Sequence, residues 1–414
     1  MPEQPMSADP VTIAAAGGVW AGDIETLLGL VCRELEMETG FIGRVAEGQR
    51  AICYVSGSGL NTGDSDPYDE TYCQLIAEGT IGPAVADTSV VPVLRDMPIT
   101  HRLGIASYLG LPLRLADGSL YGTLCAYSRE VKPHLVDADV RLLRLVGALV
   151  ASRLEHDVQA ERRSAQRRAV IETVLAAGQP DVVFQPIVDL ASGDPLGYEA
   201  LARFAVDPYR PPNVWMTEAA AVELGVELEL QAIANALAVA DGLPADRYLS
   251  LNASPSVVVT GRLVGVLVRC ERPIIVEVTE HEEARGVDLS PALGELRATG
   301  HRIALDDAGA GYAGLTRLLE LRPDVVKLDR AIIAGIDTDP VRQAMVTAGV
   351  AFVAGVGSSL VAEGVETACE AATLRALGVR VAQGYLFGRP APVAHFRSPG
   401  APPLGGATPL HFRT

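Results

Sequence analysis

The sequence predicts an α/β protein in which a TIM-like (β/α) barrel follows an α+β domain with an antiparallel sheet. Two observations predict the barrel. Strand-like and helix-like segments alternate from about residue 170 to about residue 390. Several of these apolar, β-rich segments also end close to a polar residue of similar chemistry. A third observation, the turn signal Asp117 and Gly118 between two short strand-like segments, predicts an antiparallel hairpin before the barrel.

Composition limits the classes of protein and partner. The 414 residues are 49% hydrophobic, so the chain can bury large cores in two or three domains. The formal net charge of −17 disfavours nucleic acid and anionic membranes as partners, because both attract basic surfaces. The six cysteines are scattered without a Cys-x-x-Cys pair, and the N-terminus lacks the pattern of a secretory signal. We therefore expect reduced thiols and a cytoplasmic protein.

One uncharged segment, residues 344–362, is about long enough to span a bilayer. Glycines at 349, 355 and 357 and the serine pair at 358 and 359 interrupt its apolar character. This pattern favours a helix rich in small residues followed by a buried strand, as in one unit of a barrel. No membrane partner is predicted.

The part of the chain before the barrel has its own organisation. We expect disorder at residues 1–18, a domain at 19–155 and a helical linker at 156–172. Within the domain, helical periodicity predicts helices over 24–35 and 136–155, the second with Leu142, Leu145, Val146, Leu149 and Leu154 on one side. Strands are predicted at 41–45, 51–55, 108–114 and 121–127.

The helix that starts near residue 136 continues into the charged linker, and an apolar stripe of Leu142, Leu145 and Leu149 can pair with a second copy. We therefore expect a homodimer. Residues 19–155 resemble a GAF sensory domain. The resemblance rests on the helix, the antiparallel strands, the stretch at residues 107–113 and the segment from Gly118 to Cys125. That resemblance implies a small ligand, which the sequence does not identify. Cys73 permits a tethered chromophore or redox chemistry, but a buried structural thiol is the simpler interpretation.

The barrel, expected at residues 173–395 before an irregular tail at 396–414, carries the predicted site. In a parallel (β/α) barrel, side chains that leave the carboxyl ends of different strands converge on one mouth. Strand-like segments at 249–252, 274–277, 303–307, 325–327, 360–363 and 379–383, together with the segment around Glu199, end near eight such polar residues. They are Glu199, Asn252, Glu277, Asp306, Asp307, Lys327, Glu363 and Gln383.

Five carboxylates in one mouth would repel each other unless protons or cations neutralised them. Oxygen ligands without His or Cys suit Mg²⁺ or Mn²⁺. With Asp306 bridging two ions about 3.5 to 4 Å apart, the site would hydrolyse a phosphodiester. Lys327 would orient the attacking water, and Arg203 would hold a phosphate oxygen. Asp306 and Asp307 are neighbours, so we expect the strand to end there if both reach metal.

Each residue has a simpler interpretation when taken alone. A carboxylate at a strand end is more often a solvated group or a helix cap. Asn252 precedes Ala253, Ser254 and Pro255 and is compatible with a turn, and Lys327 is compatible with a surface lysine. The combination of all eight at equivalent places favours a functional site.

These residues make the resemblance to one family specific, because the chain from about 175 to 395 resembles the EAL domain of cyclic di-GMP phosphodiesterases. The matching motifs begin at Gln185, Glu199, Asn252, Glu277, Asp306, Lys327, Glu363 and Gln383. The resemblance implies that Glu199, Asn252, Glu277 and Asp306 hold one metal, and that Asp306, Asp307 and Glu363 hold a second.

The same resemblance implies the remaining roles. Catalysis would rest on Lys327, Glu363 and Glu199, while Gln185, Arg203 and Gln383 would bind substrate. Support of the loop after Asp307 would come from Glu280 and Glu366. That loop departs from the family pattern, because Ala308 and Ala310 stand where the family has an aromatic and a hydroxyl residue.

Two functions from different classes remain open at this point. The first is an enzyme that converts cyclic di-GMP to linear pGpG under the control of the GAF domain. The second is a receptor that binds the dinucleotide with weak catalysis or none. No Gly-Gly-Asp/Glu-Glu-Phe motif occurs, so synthesis of the messenger by a cyclase module is not supported.

Overall fold

The structure, a computed structural model, describes residues 21–268, 270–278, 288–308, 318 and 320–396, and of residues 21, 307 and 308 the backbone alone. The chain divides between Arg163 and Ser164 into two compact units. The predictions of disorder at 1–18 and of an irregular tail at 396–414 concern residues that, apart from Phe396, lie outside this description.

The first unit contains a six-stranded antiparallel sheet with strand order β3-β2-β1-β6-β5-β4. Its strands are β1 (Thr39–Ala46), β2 (Gln49–Ser56), β3 (Ser65–Pro67), β4 (Ala84–Val85), β5 (Ser107–Arg114) and β6 (Leu120–Ser128). Helices span Ala21–Glu34, Tyr72–Ala77, Pro92–Arg95 and Pro98–Leu103, with 3-10 turns at Tyr68–Glu70 and Thr88–Val90. All four predicted strands and the first helix are confirmed, while β3, β4 and the short helices were not predicted.

Apolar residues cover both faces of this sheet. One cluster joins the sheet to the helix Ala21–Glu34 and to the first half of a 40-residue helix, Asp137–Ala176. The second cluster joins the other face to the short helices. The long helix extends the two predicted helical segments as one element. The residues predicted on one side of this helix divide between two environments: Val146 and Leu154 are buried, whereas Leu145 and Leu149 are 63% and 54% exposed. The helix residues buried in the first cluster are Val140, Leu143, Val146, Val150, Leu154 and Val158.

The second unit is a closed eight-stranded barrel with strand order β10-β11-β12-β13-β14-β7-β8-β9. The strands are β7 (Asp181–Asp189), β8 (Pro195–Arg203), β9 (Tyr248–Ala253), β10 (Ile274–Val278), β11 (Arg302–Ala308), β12 (Val325–Leu328), β13 (Ser359–Ala362) and β14 (Val381–Gln383). Strand β7 runs antiparallel to both of its neighbours, and the other pairs are parallel. This reversal makes the start of the barrel irregular.

Helices surround the barrel and bury its outer face in the largest apolar cluster. They span Pro212–Ala220, Gly225–Ala240, Pro255–Val259, Arg262–Leu267, Ser290–Ala298, Arg330–Ile333, Pro340–Val356 and Ala368–Ala376, with a 3-10 turn at Val393–Phe396. The segment 344–362 forms most of one helix and all of strand β13, as expected. Across the residues that the structure covers, no helix combines the length and apolar character of a membrane span.

Two layers of side chains fill the barrel. The lower layer is apolar and consists of Ile187, Ile275, Ala304, Val325, Val361 and Val381. Because successive side chains of a strand point to opposite faces, the residue two positions further along faces the interior again. On four strands this next interior residue is polar: Glu277, Asp306, Lys327 and Gln383. Glu363 has the same spacing from Val361 and directly follows the end of β13. On the reversed strand β7 the polar residue precedes the apolar one, as Gln185 precedes Ile187. Strand direction thus brings the polar residues into one layer.

Gly197 permits β8 and β9 to approach at the base of this polar layer. It pairs with Tyr248, and a Cβ atom at Gly197 would lie 2.5 Å from the Tyr248 ring. That separation is far shorter than a normal van der Waals contact. Glu199 follows two residues later on β8 and therefore faces the same side of the strand as Gly197.

We expect Gly197→Ala to lower the free energy of unfolding by about 2 kcal/mol or more, because the new methyl group collides with a buried ring. Chemical denaturation of the full chain measures the change. A matched control is Gly265→Ala in the helix Arg262–Leu267, where an added Cβ atom would have nothing within 4 Å. The control should be neutral or slightly stabilising. Equal stability of both variants would contradict the steric argument.

Candidate active site

The eight predicted residues lie on, or directly after, seven barrel strands. Two of these strands, β8 and β11, extend further than the sequence predicted. Glu199 is the fifth of the nine residues of β8 rather than a residue near its end. Strand β8 continues because its antiparallel pairing with β7 runs to Arg203, which faces Asp181. Glu199 still joins the polar layer, since Gln185 lies opposite it in the same pairing.

The second difference concerns Asp306 and Asp307. Strand β11 does not end at this pair but continues to Ala308. Leu305 pairs with Val326 and Ala308 pairs with Leu328. Between these two pairs β11 advances by three residues and β12 by two, so β11 contains one extra residue. A bulge of this kind interrupts the regular alternation of a strand. A bulge, rather than the end of the strand, is therefore the irregularity at Asp306 and Asp307. The side chain of Asp307 is not among the described residues.

The Lys327 ammonium is the centre of the polar layer. Lys327 is 2% exposed and four carboxylates surround it. The distances from Nζ to carboxylate oxygen are 2.5 Å to Glu363, 2.7 Å to Glu277, 3.2 Å to Asp306 and 3.7 Å to Glu199. If all five groups were ionised, four negative charges would face one positive charge. The excess negative charge of the cluster therefore favours binding of an additional cation or a proton.

Amide side chains hold Glu199 in place. Asn252 Nδ2 donates to Glu199 Oε1 at 2.8 Å, and Gln383 Nε2 donates to Glu199 Oε2 at 2.6 Å. Gln383 Nε2 also donates to Gln185 Oε1 at 3.0 Å. Gln185 Nε2 in turn donates to the backbone carbonyl of Gly388 at 3.0 Å. These contacts bring Gln185, Asn252 and Gln383 to the carboxylates, as the sequence predicted.

Ser250 is a member of the cluster that the sequence analysis missed. It is 1% exposed, and its hydroxyl donates to Glu277 Oε1. Ser250 and Asn252 lie two residues apart on β9 and therefore face the same side of the strand. This spacing was visible in the sequence, so a polar residue two positions before a predicted site residue was the signal to follow.

Burial and mutual charge set the protonation of the cluster. Burial, followed by the charge of Glu199, raises the pKa of Glu277 well above its ordinary value. Burial also raises the pKa of Glu363, to about 7, although Lys327 opposes this. For Glu199, burial is outweighed by the Lys327 charge and by the amide hydrogen bonds, so its pKa is lowered.

The pKa of Lys327 shows the balance of the same forces. Burial would lower it, but the surrounding carboxylates outweigh burial and raise the pKa of Lys327 well above its ordinary value. The lysine is therefore a stable ammonium in this arrangement.

The donor chemistry of the cluster fits a hard divalent cation. Its carboxylate and amide oxygens are the ligands that such ions prefer. Gln383 Oε1 is buried without a hydrogen bond, and the buried Asp306 Oδ1 has the ion pair with Lys327. The arrangement is not a preformed metal cage: within the described ranges, no group of three or more Asp, Glu, His or Cys side chains is arranged to hold a metal ion. Lys327 contacts these carboxylates instead. Cation binding would thus require the ammonium contacts to loosen.

The other predicted residues are less central. Arg203 ends β8 on the mouth side, where its guanidinium donates to the carbonyl of Ala202, and it does not line the cavity. Glu366 forms an ion pair with Arg330 at 2.9 Å. Glu280 and the glycine-rich stretch from residue 309 lie outside the described residues, as does the side chain of Asp307. The predicted support of that loop by Glu280 and Glu366 stays a prediction.

A cavity of about 250 Å³ opens above the cluster. Glu199, Asp306, Lys327, Glu363 and Gln383 lie on its inner side, among its lining residues. Further lining residues are Gln185, Leu201, Arg330, Gly364, Glu366, Gly384 and Tyr385. A concave site with several buried ionisable groups of shifted pKa is typical of an active site.

Comparison with known families agrees with this fold. The EAL domain family matches residues 164–390, and the GAF domain family matches residues 21–154. The chain therefore belongs to the EAL domain family, with a GAF domain before the EAL domain. The antiparallel sheet and the closed barrel described above are the corresponding folds.

Individual relatives cover part or most of the chain. Cyclic di-GMP phosphodiesterase RocR of Pseudomonas aeruginosa is 34% identical over 239 residues, which are 53% of this chain and 59% of RocR. BlrP1 of Klebsiella pneumoniae, solved as a calcium and cyclic di-GMP complex, is 33% identical over 51% of this chain and 56% of its own, with a TM-score of 0.47. The EAL enzyme Bd1971, solved with cAMP and cyclic di-GMP, shares the fold over 87% of this chain and 92% of its own, at 20% identity and a TM-score of 0.52. The chain thus spans less than two thirds of RocR.

Replacing Lys327 should destabilise the barrel strongly. We expect Lys327→Met to lower the free energy of unfolding by about 3 to 5 kcal/mol in the presence of a chelator, because buried carboxylates lose their counter-charge. Urea denaturation measures this change. The control is Arg330→Ala, which breaks the exposed pair with Glu366 and should cost at most about 1 kcal/mol. Equal effects of the two substitutions would contradict a central role of Lys327 in stability.

Proposed function

We propose that this protein hydrolyses cyclic di-GMP to linear pGpG with the help of two divalent ions, Mg²⁺ or Mn²⁺. The observation that carries the proposal is the buried layer in which Lys327 is surrounded by Glu199, Glu277, Asp306 and Glu363 below an open cavity. Membership of the EAL domain family and the name of the relative RocR support cyclic di-GMP as substrate.

Metal binding is assigned to Glu199, Asn252, Glu277, Asp306, Asp307 and Glu363. These residues supply oxygen ligands, and bound ions would polarise the phosphodiester and lower the pKa of a water molecule. Lys327 would hold the attacking water and stabilise the negative charge that develops on the phosphate. Gln185 and Gln383 are joined by a hydrogen bond beside Glu199 and would position the substrate, with Arg203 holding a phosphate oxygen at the mouth.

The alternative function is a receptor that binds cyclic di-GMP without cleaving it. One observation favours it: Ala308 and Ala310 stand where the family has an aromatic and a hydroxyl residue in the loop after Asp307. One experiment distinguishes the two functions. The purified chain is incubated with cyclic di-GMP and Mg²⁺ or Mn²⁺, and the products are separated by chromatography. Appearance of pGpG supports the enzyme, whereas tight binding without product supports the receptor.

Hydrolysis should depend on added metal and on Glu199. We expect no turnover in excess chelator, and recovery when Mg²⁺ or Mn²⁺ is restored. Glu199→Gln should lower the rate by about 100-fold or more, since it removes a buried charge from the cluster. Glu227→Gln serves as the control, because it changes an exposed carboxylate paired with Arg262. Full activity in chelator would contradict the two-metal proposal.

We further propose that the GAF domain binds a small molecule and regulates the EAL domain, and that the chain acts in the cytoplasm as a homodimer. The exposed leucines Leu145 and Leu149 on the helix Asp137–Ala176 support pairing of two copies, because they expose an apolar stripe to solvent. All six cysteines are free, in keeping with a reducing compartment.

Regulation is tested by comparing the full chain with a fragment that starts at Ser164, at equal concentration and saturating metal. We expect the rates to differ by a few-fold to about a hundred-fold, which is the range of ordinary coupling free energies. Circular dichroism checks that the fragment is folded, and light scattering reports the oligomeric state of both proteins. Identical rates and identical oligomeric states would leave the GAF domain without a role in catalysis.

A further inference from the structure

The first unit buries a pair of cysteines that the proposed function does not use. Cys73 lies in the helix Tyr72–Ala77, and Cys125 lies on strand β6. Both side chains are buried, and both belong to the apolar cluster beneath the short helices. The two cysteines are far apart in sequence, and their side chains interact because the helix packs on the sheet.

A buried arginine lies beside this pair. The Arg50 side chain is 1% exposed, forms an ion pair with Asp66 and contacts the Cys73 sulfur. Asp66 also pairs with Arg102, so two guanidinium groups share one carboxylate. Among the residues that the structure describes, Arg50 Nε is buried without a hydrogen-bond partner. The positive charge beside the pair is therefore only partly neutralised, and an anionic sulfur at Cys73 would offset it.

Strand β1 makes room for the arginine inside the sheet. A Cβ atom at Gly43 would lie 3.0 Å from the Arg50 side chain, which is closer than an ordinary van der Waals contact. The guanidinium carbon of Arg50 lies 5.5 Å from the centre of the Phe41 ring on the same strand, a cation–π contact. Gly43 and Phe41 thus keep the arginine in the interior, where its charge acts on the thiols.

The two sulfurs have different surroundings. Hydrogen bonding from the Cys125 thiol and the charge of Arg50 lower the pKa of Cys73, although burial opposes them. Burial raises the pKa of Cys125 well above its ordinary value, and the neighbouring Cys73 acts in the same direction. The Tyr108 hydroxyl donates to Cys125 Sγ at 2.8 Å. The pair therefore combines one thiolate with one protonated thiol.

We propose that Cys73 and Cys125 form a reversible thiol–disulfide site that reacts with hydrogen peroxide. The Cys73 thiolate attacks one peroxide oxygen, the O–O bond breaks and hydroxide leaves, which converts Cys73 to a sulfenic acid. The Cys125 sulfur then attacks the Cys73 sulfur and loses its proton, while the S–O bond breaks and the oxygen leaves as water. The cysteine pair is oxidised to a disulfide, and the peroxide is reduced to hydroxide and water.

Access of peroxide to the buried pair requires only a local opening of the domain. Short helices cover this side of the sheet, at Tyr72–Ala77, Pro92–Arg95 and Pro98–Leu103. Short elements open at a lower free energy than the strands of a core. A small, uncharged oxidant suits such a site better than a bulky or charged one. Reversible disulfides of this kind also occur in reducing compartments, where they respond to oxidants.

The test treats the reduced full chain with hydrogen peroxide, blocks the remaining thiols by alkylation and maps disulfides by mass spectrometry of its peptides. We expect one principal disulfide, between Cys73 and Cys125, which dithiothreitol reverses. Cys125→Ser should leave Cys73 as a sulfenic acid that dimedone labels, whereas Cys73→Ser should abolish both products. The matched control is Cys53→Ser, because Cys53 is buried in the same sheet but belongs to the other apolar cluster. Its disulfide yield should equal that of the unaltered chain.

The arginine provides a second measurement, the rate of disulfide formation. Arg50→Met should lower this rate by about 10-fold or more, because Cys73 loses the charge that favours its thiolate. Arg50→Lys keeps a positive charge and should change the rate by less than about 3-fold. Circular dichroism checks that both variants are folded. Mapping of the disulfide in the unaltered chain decides the inference even where an arginine variant fails to fold.

Three results would overturn the inference. They are the absence of this disulfide in the unaltered chain, a principal disulfide that instead involves the exposed Cys369, and unchanged disulfide formation in Cys73→Ser. None of these measurements involves cyclic di-GMP. The inference and the proposed function therefore succeed or fail separately.

Discussion

The buried contact between Lys327 and its carboxylates is the interaction on which the rest of the site depends. An isolated ammonium or carboxylate inside a protein is strongly unfavourable, because each loses its hydration. Here the Lys327 ammonium and the carboxylates offset each other's loss of hydration. The amides of Asn252 and Gln383 donate hydrogen bonds to Glu199. The groups come from strands far apart in sequence, so only the closed barrel brings them together. The charged layer therefore forms only when the barrel is closed.

Much of this layer was predictable, because strand geometry leaves little choice. A parallel barrel aligns its strands, and the two-residue period places the polar residue above the apolar one on each of them. Glu277, Lys327 and Gln383 follow Ile275, Val325 and Val381 at this spacing. A reader of the sequence needs only the strand positions to infer that these side chains meet. Their roles in metal binding and catalysis require chemistry that geometry alone does not supply.

Other features depended on contacts that the sequence does not show. The bulge at Asp306 and Asp307 arises from the pairing of β11 with β12, which no local pattern reveals. The extension of β8 to Arg203 depends likewise on its antiparallel partner. The apolar residues grouped on one side of the helix that starts at Asp137 divide in the structure, because Val146 and Leu154 are buried whereas Leu145 and Leu149 are exposed. Periodicity detects an apolar face but does not say which of two faces meets the sheet.

The reversed direction of β7 has a topological consequence. In a barrel of uniformly parallel strands, the first strand begins at the end opposite to the catalytic mouth. Here Asp181, the first residue of β7, is paired with Arg203, the last residue of β8, so the polypeptide enters the barrel at the mouth. The helix Asp137–Ala176 leads directly to this entry. Only four residues, 177–180, separate the end of that helix from the first residue of β7.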